Sequence, residues 1–323
     1  MDRASVTISE ASMLDESACR LIQWTTYVSA CGIHPSSRKT FSFGSGLHKQ
    51  VTISDFLIAT QDGDTIPLRL YRPVGAQEES LPLLMFFHGG GYLFGTIQSE
   101  DARCSKVATD LGIAVLSVCY RHTPHFKYPT QHLDAWDAFQ WCLQNLQILG
   151  ADGGQVIVSG ISSGGGLAAS VVLKHHRQCG ADTAVKGQIL CIPSLIPPEI
   201  YPFDSFESEQ VGSIWQNKGS PILPAKQRQL FHDLLDAQSH DETPYAMYGV
   251  QGVPLTGMPE TSFLIAGMDA LRDEAFLYAE QLRSAWYVDV HVFREHSAKV
   301  PLASLHKCTY FQACRMVSTG LRS

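Results

Sequence analysis

Apolar positions follow two different rhythms along this chain, and the change comes near Leu81. Before it, VTISDFLIAT, the turn QDGD and TIPLRLYRP alternate apolar and polar residues. That pattern predicts an antiparallel, half-buried hairpin. After it come LPLLMFF (81–87), GIAVLSVCY (112–120), QVIVSG (155–160), GQILCIPS (187–194), TSFLIAG (261–267) and VDVHVF (288–293). These are short, largely apolar and β-branched, and stretches of helical length separate them. Continuous apolar strands alternating with helices predict an α/β fold with a mostly parallel sheet covered on both faces. A long segment, 195–259, breaks the alternation after the sixth strand. It is rich in Pro, Gly and aromatics and carries one helical pattern, PAKQRQLFHDLLDAQ. Insertions of this length tend to be functional. Residues 195–259 are therefore expected, with residues 1–50 and a helix around Asp15 to Ala30, to cap a single domain spanning 1–323.

Composition narrows the function classes. The 323 residues are 45% hydrophobic, enough for one large core, and open α/β sheets run this long as one domain. A net charge of −7 gives no electrostatic case for a nucleic-acid or anionic-membrane partner. The N-terminal stretch is polar and acidic, unlike a secretory signal, and no run of eighteen apolar residues suggests a membrane span. Nine cysteines are scattered without a CxxC pair, which disfavours zinc ribbons and redox motifs. Several lie in apolar runs, where a free thiol packs as a small hydrophobe. A reduced, cytoplasmic protein is the expectation.

The stretch QVIVSGISSGGGLAAS carries the chemistry. A strand ends at Ser159, Gly160-Ile161-Ser162-Ser163-Gly164 makes a turn, and a helix of small residues follows. The bare G-x-S-x-G spacing is common in Gly/Ser turns. With a strand before and a helix after, it presents the central serine on a strained turn that flanking glycines permit. The helix N-terminus supplies N–H groups and a positive dipole end where an oxyanion would develop. Upstream, His88-Gly89-Gly90-Gly91 follows a strand directly, and its glycines let the backbone approach a substrate. The expected oxyanion donors are the amides of Gly89, Gly90 and Ser163, with Ser162 as nucleophile. GGGYLFG lacks dinucleotide-binding spacing. His88 is expected to orient the loop and not to act as a base.

The sequence resembles the hormone-sensitive-lipase-like esterases of the α/β-hydrolase superfamily, which carry HGGG before a GDSAGG-type elbow. The resemblance covers about residues 51 to 293. Between the two motifs, Tyr120-Arg121-His122-Thr123-Pro124, Tyr128-Pro129 and Asp134 are similar to the family's Y-R-L-A-P-E…F-P-A…D run. Departures are Ile161 for the acid beside the nucleophile, Ser163 for alanine and His125 for glutamate, read as tuned packing around the elbow. The resemblance implies an α/β-hydrolase fold, ester or acyl hydrolysis, and a triad in the order serine, acid, histidine.

After TSFLIAG, Met268-Asp269-Ala270-Leu271-Arg272-Asp273-Glu274 resembles the family's D-P-L-R-D-E. Asp269, at the carboxyl end of a strand, is the catalytic candidate. Asp273 and Glu274 fall in a first helical turn, where acids favour the helix dipole. The family's histidine segment, Y-P-G-x-P-H-G-F, is replaced by FREHSAKVPLASLHK, and counting from Phe293 puts its histidine at Ala298. His296 lies two residues early on the post-strand loop and is the candidate base. His291 is expected to pack within the strand, and His306 to open the last helix. Family texture stops after Phe293, through divergence, splicing or a shifted reading frame.

Two function classes follow. In the first, a serine esterase cleaves a small, apolar ester or acyl substrate using Ser162, His296 and Asp269. In the second, the scaffold binds a ligand without hydrolysis, as the plant gibberellin receptors of this family do without the histidine, or assists cyclisation or elimination on a secondary metabolite. No metal or organic cofactor is implied, since no HExxH or Cys/His cluster is present. Beyond the small-molecule substrate the expected partners exclude nucleic acid, and a homodimer stays open. The cap aromatics, among them Tyr201, Phe203, Phe206, Trp215, Tyr245 and Tyr248, suit either an apolar ligand or the cap's own core.

Overall fold

A computed structural model describes residues 49–76, 80–180, 184–198, 201–202, 208, 211–237, 255–285 and 290–295. Within them run β1 (Val51–Ala59), β2 (Thr65–Pro73), β3 (Leu81–Phe87), α1 (Asp101–Leu111), β4 (Ala114–Val118), α2 (Thr130–Gln144), α3 (Leu146–Leu149) and β5 (Ala151–Ile161). Then follow α4 (Ser163–Cys179), β6 (Val185–Cys191), α5 (Ser213–Gln216), α6 (Ala225–Leu235), β7 (Glu260–Ala266), α7 (Arg272–Ala285) and β8 (Val290–Glu295). The expected helix around Asp15 to Ala30 lies outside the described residues.

The eight strands form one sheet in the order β1-β2-β4-β3-β5-β6-β7-β8. The hairpin β1–β2 is antiparallel, β2 pairs antiparallel with β4, and every later pairing is parallel. This is the doubly covered architecture expected from the apolar runs. Cys104, Val107 and Leu111 of α1 bury against one face with Leu84, Val115, Ile157 and Ile189. Phe139 of α2, Leu167 and Val171 of α4 and Tyr278 of α7 close the other face with Leu83, Met85, Leu116 and Val158. Each such side chain contributes about 1.5–3 kcal/mol by leaving water. Two strands run beyond the bounds the sequence pattern indicated: β5 starts earlier, at Ala151, and β8 ends later, past Phe293 at Glu295. Ladder pairing with β3 and β7 carries both beyond their apolar stretches. Cys104, Cys119, Cys142, Cys179 and Cys191 are all free thiols, three of them buried.

Two sets of carboxylates tie the loops to the sheet. Asp134 on α2, with no exposed side-chain surface, accepts from the Arg121 backbone N–H at 2.9 Å and from its Nη2 at 2.6 Å. The same guanidinium reaches Asp62 at 2.8 Å and Asp64 at 3.2 Å on the β1–β2 turn, so one arginine joins hairpin, β4 loop and helix. The second set opens α7. Glu274 Oε2 accepts from the amides of Leu195 and Ile196 at 2.5 and 2.7 Å. Asp273 accepts from the Ser213 N–H at 2.5 Å, and Ser213 Oγ donates to the Ala270 carbonyl at 2.7 Å. These acids do begin a helix, as the sequence suggested, but what they hold is the insertion between β6 and β7. Burial pushes the Glu274 carboxyl up to about 8, against the two amides that pull it down.

Each clamp has a measurable consequence. Asp134→Ala leaves Arg121 without its buried partner, and loss of one member of such a pair costs about 3–5 kcal/mol. Urea unfolding should show that loss at unchanged m-value; a change under about 1 kcal/mol would show that the turn acids suffice. Glu274 is protonated more readily folded than unfolded, where its pKa is about 4.3. Its contribution is therefore complete below that value and is lost as pH rises through about 8. Relative to wild type, Glu274→Gln should gain stability, on the order of 3 kcal/mol, between about pH 5 and about pH 8. A difference that stays flat with pH would mean that the carboxyl is ionised throughout.

Candidate active site

The carboxyl ends of β3, β4, β5, β6 and β7 bring together the residues picked out by their motifs, at the position where open α/β sheets keep their sites. β3 and β5 are direct neighbours, with Phe87 opposite Gly160, so the HGGG loop and the serine turn emerge side by side. Ser162 sits between β5 and α4 at φ 53° and ψ −119°, the strained conformation the elbow reading requires. Its N–H donates to the Cys191 carbonyl at 2.9 Å, and its carbonyl accepts from Ser194 at 3.0 Å and Gly166 at 3.1 Å. A methyl group on Gly160 would fall on the Gly164 carbonyl, and one on Gly164 on the carbonyls of Phe87 and His88.

The HGGG loop turns back on itself at Gly90, with φ 131°, where the carbonyl accepts from Phe94 at 2.9 Å and Leu93 at 3.1 Å. His88 is fully buried, its Nδ1 lies 2.9 Å from the Gly89 carbonyl, and its ring stacks on Tyr120 at 4.4 Å. Burial holds its pKa down at about 4, so the ring is neutral and structural, in line with the sequence reading. Tyr120, recognisable in the sequence only through the Y-R-H-T-P run, donates from its hydroxyl to the His88 carbonyl at 2.9 Å.

Ser163, where the family has alanine, does more than adjust packing. Its Oγ accepts from the Gly91 N–H at 3.1 Å and lies 3.4 Å from the Tyr120 hydroxyl, which ties the glycine loop to the elbow. Among the described residues the amides of Gly89 and Gly90 meet no acceptor. The Ser163 amide, at the first position of α4, has no intrahelical acceptor. The position of a Gly89 Cβ is 3.5 Å from the Ser162 Cβ, so at least this part of the loop lies against the serine.

Asp269 follows β7, two strands from Ser162, and is 3% exposed. Oδ1 accepts from the Leu271 N–H at 3.0 Å, while buried Oδ2 has no partner among the described residues. Burial pushes its pKa up to about 6, opposed by the amides of Leu271 and Ala270. Asn217, after α5, donates from its side-chain amide to the Asp269 carbonyl at 3.2 Å and links the insertion to this loop. His296 and His306 lie outside the described residues. β8 pairs Glu295 with Ala266, so the described register ends beside the Asp269 loop.

A cleft opens over Ser162 and Ser163. The insertion, the Asp269 loop and α7 line it with Ile196, Ile214, Leu223, Phe231 and Leu271, and with the polar groups Arg228 and Glu274. Sequence reasoning did not single out Phe231 or Arg228. The only signal was their position on the one helical pattern of the insertion. Phe231 meets Phe94 at 6.0 Å between ring centroids and rests where a Gly91 side chain would otherwise stand. No group of three or more His, Cys, Asp or Glu among the described residues could hold a metal ion. No helix among them is long and apolar enough to cross a membrane.

Comparison with known proteins agrees with this geometry. An ethyl acetate hydrolase from Pseudomonas putida is 30% identical over 240 residues, covering 72% of this chain and 70% of its own length. Esterase LipI from Mycobacterium tuberculosis is 31% identical over 250 residues, covering 76% of this chain and 73% of its own. Among solved structures, a bacterial heroin esterase superposes with a TM-score of 0.70 at 27% identity, covering 88% of this chain and 87% of that one. A family model for the alpha/beta hydrolase fold matches residues 84–299, two thirds of the chain. With its eight-stranded sheet, its serine elbow and this match, the chain belongs to the α/β-hydrolase family.

Proposed function

We propose that this chain is a carboxylic ester hydrolase acting on a small-molecule ester through Ser162. The observation that carries the reading is the strained elbow at Ser162, set beside amides of Gly89, Gly90 and Ser163 that meet no acceptor among the described residues. Strain of this kind costs about 1–3 kcal/mol and persists where it serves the chemistry. Similarity to proteins named ethyl acetate hydrolase and esterase supports the same reaction class.

In the reaction, Ser162 Oγ adds to the ester carbonyl carbon and gives its proton to the imidazole of His296. The three amides hold the tetrahedral oxyanion. Each such donor is worth on the order of 3 kcal/mol in the transition state. Collapse breaks the ester C–O bond, and the alcohol leaves with the proton from His296. Water then adds to the acyl-enzyme by the same route and releases the acid. Asp269 orients the imidazole through Oδ2, whose burial without a partner motivates the role. An N–H donated to Oδ2 would favour the carboxylate and offset the cost of burying it. The described part of the insertion acts as a cap over this cleft, and residues 1–48, expected to share that role, lie outside the described residues. The scattered cysteines, five of them free among the described residues, support a cytoplasmic setting.

A fluorophosphonate probe should label Ser162, as read by peptide mass spectrometry. On a short p-nitrophenyl ester, wild type should turn over modestly because the base is displaced from its family position. His296→Ala should fall to the Ser162→Ala background, at least about a hundredfold, with His306→Ala near wild type. Loss in His306→Ala alone would move the base to His306. Absence of both label and turnover would leave the ligand-binding reading of the scaffold.

A further inference from the structure

Among the side chains that line the Ser162 cleft, Arg228 carries a charge that the hydrolytic mechanism does not use. Arg228 lies on α6 with Phe231 and His232, three and four residues on, so the three share one helical face, and all three line the cleft. The residue is half-buried, and its N–H donates to the Pro224 carbonyl, yet its guanidinium makes no hydrogen bond or salt bridge with any described residue. Glu274 and Tyr201 act on it only at longer range, and burial lowers its pKa. Glu274, the acid that faces the same cleft, is committed through Oε2 to the amides of Leu195 and Ile196. Burial also keeps Glu274 largely protonated at neutral pH, with its pKa raised to about 8. A guanidinium taken partly out of water without a partner is costly, and an anionic ligand removes that cost. Its planar fork matches a carboxylate with two parallel N–H···O bonds. The remaining walls, Ile196, Ile214, Leu223 and Leu271, suit a short hydrocarbon chain.

We propose that Arg228 is a specificity-determining residue that selects esters carrying a second, free carboxylate, such as half-esters of short aliphatic dicarboxylic acids. The inference rests on the hydrolase reading for its outcome, since hydrolysis of a half-ester yields the dicarboxylate and the alcohol with one water consumed. Recognition itself is independent of turnover. The chain's net charge of −7 makes this a local device and not a steering field: the anion is drawn to one cation at the cleft, against the sign of the whole.

The test separates binding from chemistry. In the Ser162→Ala background, which blocks acyl transfer, calorimetry would compare monoethyl succinate, glutarate and adipate with their neutral diethyl esters. At one or more chain lengths the half-ester should bind at least about tenfold more tightly than its diester, as one charge-assisted pair of hydrogen bonds implies. Adding Arg228→Gln should bring that ratio close to one, and Arg228→Lys should restore part of it by keeping charge without the fork. Melting temperatures close to the parent would verify that the variants fold, and Arg228→Lys carries the test alone should Arg228→Gln fail to fold. Equal affinity for half-ester and diester at all three lengths, or a ratio untouched by Arg228→Gln, overturns the proposal. Half-ester binding that depends on Arg228, without turnover by wild type, would sink the hydrolase reading and leave this one standing. Turnover of both ester types without charge preference does the reverse.

Discussion

Ser162 occupies backbone space that a side chain rarely enters, and nearly everything around it exists to keep it there. At φ 53° and ψ −119° the residue is strained by about 1–3 kcal/mol, and its backbone is held by three hydrogen bonds to Cys191, Ser194 and Gly166. Two of those partners lie on or just beyond β6, so the strain is offset by the parallel ladder between β5 and β6, which pairs Ile161 with Cys191. The turn is tight enough that Gly160 and Gly164 press against backbone on both sides, with Gly164 lodged on the end of β3. A sheet in any other order would lose the contact between elbow and glycine loop. The order β3-β5-β6 is therefore a condition of the site as much as of the core.

From that fixed point the rest is attached by polar ties as well as by apolar packing, in which Tyr92, Leu195, Ile196 and Leu235 join the core. Ser163 binds the glycine loop through the Gly91 amide, and Tyr120 binds the same loop through the His88 carbonyl. The insertion is held by Glu274 at its start and by Asp273 and Ser213 further along. A buried carboxyl that accepts two amides is directional, whereas an apolar contact is not, so these ties set where α6 and its side chains stand over Ser162. Phe231 settles against Gly91 within that frame.

The strands, their parallel order and the elbow were legible because each writes a local pattern: apolar runs, a glycine spacing, a strand-to-helix change. The HGGG loop was legible for the same reason. Ser163 and Glu274 were read only in part. Their roles depend on acceptors and donors far away in sequence, Gly91 in one case and Leu195 and Ile196 in the other, and no local periodicity encodes such pairings. Arg228 was not legible at all. In a helix that reads AKQRQLFHDLL, an arginine is an ordinary solvated residue until the fold turns that face onto the cleft.

Asp269 constrains what its partner must be. One carboxylate oxygen is used by Leu271, the other is buried, and desolvation lifts the pKa to about 6 against amides that lower it. A cation in direct contact would lower that pKa much further than backbone amides can, and a purely apolar neighbour would leave the oxygen unsatisfied at about 1–3 kcal/mol. A neutral imidazole donating one N–H satisfies the oxygen without a fixed charge, and it gains the carboxylate's attraction only when it takes a proton. That is the behaviour a base needs. Arg272, close by in sequence, does not supply it, because its guanidinium is spent on Asp273, the Gly267 carbonyl and Gln216. β8 extends to Glu295, paired with Ala266, so this strand ends level with the end of β7, from which the Asp269 loop departs.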